Sequence, residues 1–217
     1  MARKKESGNK VSLIKKILLV VLVLIIIISA FKLYKSLTSG KKNTEPEEAK
    51  KEDQIQTKEF DYTLYDNKSD LYKDYFAKLK EELLKDEVND QEYAKIIAQL
   101  FVTDFYSLSD KTTSTDIGGL DFVYEKIKDN FVLKASDTIY KYVQSNVYGD
   151  RKQELPKVKA AEVKAITPVP VTIGELTDQN GYSVTLSVTY EKDMGYPGEV
   201  TLTLIHVEKK VYIVEVK

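Results

Sequence analysis

Few side chains of this 217-residue chain could combine to do acid, base or nucleophilic work. It has no Cys and one His, His206. That removes thiolate nucleophiles, disulfides and thiolate metal cages, and any His cluster built within one chain. Gly118-Gly119 lacks the spacing of a phosphate-binding loop and follows no predicted strand, so it reads as a turn or close-packing site. Asp110, Asp116 and Asp121 lack the spacing of a calcium loop and read as solvated acids. What remains is Asp104. With ~100° per residue counted from Tyr93, the apolar face of the helix expected over 90–108 gathers Ile97, Leu100, Phe101 and Leu108, and Asp104 falls inside it. A carboxylate there has to be hydrogen-bonded, paired or shifted in pKa. With a proton-transfer partner it is a general acid or base. With none it accepts backbone N–H groups, and the Gly118-Gly119 turn is a ready source. His206 keeps phase with Val200, Leu202 and Leu204, which puts it on the sheet face that meets the helices. A His206–Asp104 couple would be catalytic only if the two meet. Asp104, Tyr93 and His206 are therefore the pocket candidates; no catalytic residue is assigned, and no metal or cofactor is expected.

Helices come first and strands last. Phe60, Tyr62 and Leu64 alternate as an extended lead-in. Asn67 or Ser69 can cap a helix carrying Leu71, Tyr72, Tyr75, Phe76, Leu79, Leu83 and Leu84. Asn89 with Glu92 resembles a capping box opening the second helix, 90–108. After a polar loop (109–116), Leu120, Tyr124, Ile127, Phe131, Ala135, Ile139 and Tyr142 recur at helical spacing, which predicts a third helix over 119–146. Beyond Pro156 the period changes to two. Residues 158–173 are extended, with Pro168 and Pro170 confining them to a sheet edge or a bulge. Strands follow over Tyr182–Tyr190, from Val200 onward, and over Val211–Val216, with a tight turn at Glu208-Lys209-Lys210. The expected fold is α+β, with three helices packed on a four-stranded antiparallel twisted sheet.

Ahead of this domain (60–217) stands a different kind of sequence. The run Ile17, Leu18, Leu19, Val20, Val21, Leu22, Val23, Leu24, Ile25, Ile26, Ile27, Ile28 holds no charge. Extended over 13–34 it makes a helix of ~33 Å, enough to span a bilayer. The segment 13–35 is thus read as a transmembrane helix after a basic tail (1–12). No A-x-A-like cleavage site follows it, which favours an uncleaved anchor over a signal peptide. Lys and Arg are denser before the span than after it, which places the N-terminus in the cytoplasm and the domain outside. Residues 36–59 are almost devoid of apolar side chains and read as a flexible charged linker with a reach of roughly 25–30 Å.

This order of elements resembles NTF2-like (cystatin-like) domains, and the VirB8-like subunits of bacterial conjugation and type IV secretion machines. Those subunits likewise have one N-terminal span, a linker and an outer α-then-β domain. The segment LFVTDFYSLSDKTTSTDIGGLDFV (100–123) resembles membrane-anchored proteins of Gram-positive bacteria. The resemblance implies a non-enzymatic scaffold or assembly protein of a cell-envelope complex, conjugation- or secretion-like, with the lipid bilayer and envelope proteins as partners. A small-ligand module with an NTF2-like pocket is the alternative. NTF2-like isomerases and dehydratases, which use a carboxylate with a Tyr or His, would give Asp104 an enzymatic role.

The net charge of −1 conceals two unlike parts. Residues 1–59 hold 13 basic and 7 acidic side chains, and residues 60–217 hold 20 and 27. The acidic domain, with Arg151 as its only Arg, is poorly made for nucleic acid.

Overall fold

The computed structural model describes residues 49–217 apart from residue 58; the expected tail (1–12), membrane span (13–35) and most of the linker lie outside them. Among the described residues no helix is long and apolar enough to cross a membrane. The chain divides into two units after residue 47, and the described residues all belong to the second.

Three helices, α1 (Asp70–Leu83), α2 (Asp90–Tyr106) and α3 (Glu125–Asp137), precede a four-stranded antiparallel sheet. Its strands β3 (Val158–Ile173), β4 (Leu176–Tyr190), β5 (Glu199–Val207) and β6 (Lys210–Val216) lie in chain order. The domain is α+β. Helix α2 is its centre, with eleven of seventeen residues buried. One side meets α1 and the others meet β3, β4 and β6. Phe101, Leu100 and Ile97 are fully buried there among Leu186, Leu202 and Leu204 of the sheet. Truncating such a side chain to Ala typically costs ~3–5 kcal/mol.

The caps follow local chemistry. Ser69 accepts Tyr72 N–H at 3.3 Å to start α1, and Asn89 accepts Glu92 N–H at 3.1 Å to start α2. The return arm of a capping box is not made by Glu92. Asn89 N–H instead donates to Glu82 at 2.7 Å, a buried carboxylate that Lys85 also reaches at 2.6 Å. Pro168 and Pro170 fall on β3, an edge strand, where a missing N–H breaks no ladder.

Three expected boundaries move, the first being the start of β4, at Leu176 ahead of the expected Tyr182. Lys51–Gln56, inside the expected linker, is a strand, β1, pairing antiparallel with β2 (Asp61–Tyr65). One apolar residue suffices to seat it, because Ile55 is buried opposite Tyr62. Cations of α1 take the outer acids, Lys73 reaching Glu52 at 2.8 Å and Lys80 reaching Asp53 at 2.7 Å. The third helix, expected over 119–146, is shorter. Gly119 adopts φ +74° and opens a 3-10 turn, Leu120–Phe122. Val123 then bridges Ile213 of β6 in parallel, and only after it does α3 begin. Helix α3 ends at Thr138, after which Tyr140 turns inward.

Candidate functional site

Asp104 lies in the last turn-and-a-half of α2, with its side chain only 11% exposed. Three donors converge on it. Lys111 Nζ reaches Oδ1 at 2.7 Å, and Lys68 Nζ reaches Oδ2 at 2.8 Å. Gly119 N–H donates to Oδ2 at 2.8 Å. Burial pushes the Asp104 carboxyl up, but the ammonium groups of Lys111 and Lys68 outweigh it and hold the pKa at about 2.

The loop that brings these donors is itself fastened. Tyr140, fully buried, donates its hydroxyl to Phe105 C=O at 2.6 Å and accepts Gly118 N–H at 3.0 Å. A Cβ on Gly118 would lie 2.3 Å from Asp104 O, so only glycine lets the loop pass this close. Arg151 holds the other end, donating to Ser109 C=O at 2.6 Å and Lys111 C=O at 2.8 Å. The adjoining cavity is about 40 Å³, room for roughly one water. An ionised, triply satisfied carboxylate beside so small a space supplies neither a proton nor a substrate site.

His206 is elsewhere. It faces the helices, as its phase predicts, but at the opposite end of α2. Its Nε2 lies 3.0 Å from Asp90 Oδ2, and its Nδ1 lies 2.8 Å from Asp178 Oδ2. Asp90 and Asp104 are fourteen residues apart on one helix, which is about 21 Å of rise. The structure therefore does not bring His206 and Asp104 together. Tyr182 completes the cluster, donating to Asp90 at 2.6 Å. Desolvation raises the Asp178 carboxyl, but the N–H groups of His206 and Asn180 and the imidazole bring it below its usual range. Asp178 also caps His206 N–H at 2.7 Å, just beyond the last β4–β5 pair, Tyr182 with Leu204. The cluster thus pins the point where the β3–β4 hairpin parts from β5.

Tyr93 is 1% exposed. Its hydroxyl is bonded to that of Tyr62 and accepts Val211 N–H at 3.2 Å, tying the β1–β2 hairpin, α2 and β6 together. Burial pushes its phenol up to about 12. It is a bridge between elements.

A roomier cleft, about 540 Å³, lies between α3 and the final residues of β6, floored by Phe105 and Tyr106. It reaches neither Asp104 nor His206. Of α3 only Ala135 is buried, so this helix borders the cleft more than it packs on the core. Sequence reasoning did not single out Lys68, Lys111, Asp90, Asp178 or Arg151. For Arg151 a signal existed in its rarity; the others are ordinary surface types until folded. Among the described residues no group of three His, Asp or Glu side chains could hold a metal ion. No family, curated protein or solved structure matches the chain.

Proposed function

We propose that the chain is a single-pass, membrane-anchored scaffold of a bacterial cell-envelope assembly, non-enzymatic and VirB8-like in layout. In this reading residues 13–35 cross the bilayer and an NTF2-like domain stands outside the cytoplasm. The observation that carries it is the state of Asp104. The acid best placed for chemistry is locked by two ammonium groups and a backbone N–H. The space beside it, lined by Asn67, Ser69, Tyr72 and Thr103 among others, is only about 40 Å³. With chemistry spent on holding the fold, surfaces remain as the means of action. The test is chemical cross-linking of the tagged full chain in its native membranes. Reproducible recovery of envelope proteins supports the reading; a chain that stays alone overturns it.

A second reading, a small-ligand module, is favoured by the α3–β6 cleft. That cleft does not reach Asp104, so the ligand would be bound without being transformed.

A further inference from the structure

The outer side of β6 is satisfied in its first half and open in its second. Val211 N–H donates to Tyr93 at 3.2 Å, and Ile213 C=O accepts Tyr124 N–H at 3.0 Å. There the chain has begun to lay a parallel strand beside β6, at the Val123–Ile213 bridge, before turning away into α3. Past that point the ladder to β5 resumes across a bulge, with Thr203 opposite Glu215. Lys217 exchanges both backbone bonds with Thr201 at 2.9 Å. Neighbouring Val216 therefore turns its N–H and C=O outward, away from β5. No hydrogen bond among the described residues meets them there.

The cleft lies along this open stretch. One wall is Val214, Glu215 and Val216, and the other is α3, through Ile127, Phe131 and Lys134. A strand edge facing an apolar helix wall is the arrangement that takes up an extended peptide as an added strand. The main chain extends the ladder while alternate side chains enter the apolar wall. Charge adds direction. Glu215 is occupied by Lys217 at 2.8 Å and Thr203 at 3.0 Å. Lys134 makes no ion pair among the described residues, so the uncompensated charge of the cleft is positive. The hydroxyl of Tyr106, on the floor, likewise has no hydrogen-bond partner among them.

We propose that the α3–β6 cleft binds an extended segment of a partner protein as a fifth strand beside β6, with apolar side chains at alternate positions and a carboxylate facing Lys134. The proposal rests on the scaffold reading and gives the chemistry of the partner.

The test uses the full chain in lipid nanodiscs and a fluorescent, end-blocked peptide, SVTVTDS, whose two Val and one Asp share a strand face. Saturable binding is expected. N-methylation of the two central peptide amides weakens it by about tenfold, the loss of one to two hydrogen bonds. A peptide with Lys for Asp binds about fivefold more weakly, and Lys134→Glu reverses that preference. Lys134 is exposed, so that variant keeps the fold. Absence of saturable binding overturns the proposal. Binding indifferent to N-methylation, or displaced by decanoate, also overturns it and marks a site for an apolar small molecule. The scaffold reading fails separately, when membrane cross-linking recovers no partner while the peptide result stands by itself.

Discussion

Gly119 gives its backbone N–H to Oδ2 of Asp104 at 2.8 Å, fifteen positions back along the chain. The bond closes a loop fastened also by Lys111 to the same carboxylate, by Tyr140 to Gly118 N–H and by Arg151 to the carbonyls of Ser109 and Lys111. Asp104 is thereby the point on which the connection between α2 and α3 is assembled.

Asp104→Asn leaves Lys111, whose side chain is 5% exposed, without its counter-charge. A loss of about 3–5 kcal/mol is expected, read by denaturant unfolding. The pH dependence has a definite sign. The folded carboxyl titrates near 2, below its ordinary 3.8, so its contribution is complete above about pH 4 and disappears as pH falls toward 2. About 2–3 kcal/mol should vanish over that window, and the Asn variant should lack the step.

Gly118→Ala tests the close approach of the loop. The added methyl would meet backbone, at 2.3 Å from Asp104 O and 2.6 Å from Asp104 C, and neither can rotate away. A destabilisation of about 3 kcal/mol is expected in thermal melts. At Gly149, where a Cβ meets nothing within 4 Å but φ is +71°, the same change should cost about 1 kcal/mol, from backbone strain alone.

Tyr140→Phe keeps the ring and deletes the hydroxyl. Gly118 N–H and Phe105 C=O lose a shared partner in a fully buried place. About 2–3 kcal/mol should be lost. Amide exchange at Gly118 should rise well above that of the β4–β5 ladder.

His206→Gln should act locally. Asp178 keeps the N–H groups of His206 and Asn180, while Asp90 loses the ring contact and keeps Tyr182. Hydrogen exchange should accelerate across residues 169–178 and remain unchanged around Phe101. A loss of only about 1–2 kcal/mol is expected. Uniform acceleration would refute the assignment of this cluster to the base of the hairpin.

Thr103→Val should be neutral or stabilising by up to about 1 kcal/mol. Its Oγ1 is the one buried side-chain polar atom without a partner among the described residues, and Val fills the same volume without the cost of desolvating a hydroxyl.

Much of this was legible from one dimension. The period of two after Pro156, the prolines on β3 and the phase of His206 all follow from alternation, a property of local sequence. Asp104 stood out because a charge on an apolar face demands an account, and the Gly118-Gly119 turn was its expected donor. Its lysine partners were illegible: Lys68 and Lys111 lie 36 and 7 residues away, and solvent would satisfy either as well in any exposed place. The strand at Lys51–Gln56 was hidden for a related reason. Ile55 alone meets the core, while the remaining stability comes from β2 and from Lys73 and Lys80 of α1. The periodicity from Leu120 to Tyr142 misled because Val123 was drawn out to β6 by a long-range bridge that no helical wheel displays.

The two borders of the four-stranded sheet are unequal. Along β3, Pro168 and Pro170 offer no N–H to a newcomer, whereas on β6 no hydrogen bond among the described residues meets the outward N–H and C=O of Val216. Addition of a strand is favoured at the end of β6 over the Pro168–Pro170 stretch of β3, which gives the sheet a polarity of growth. That asymmetry disfavours edge-to-edge stacking of copies through the proline stretch of β3. Brought together at high concentration, such domains would favour paired junctions over fibres.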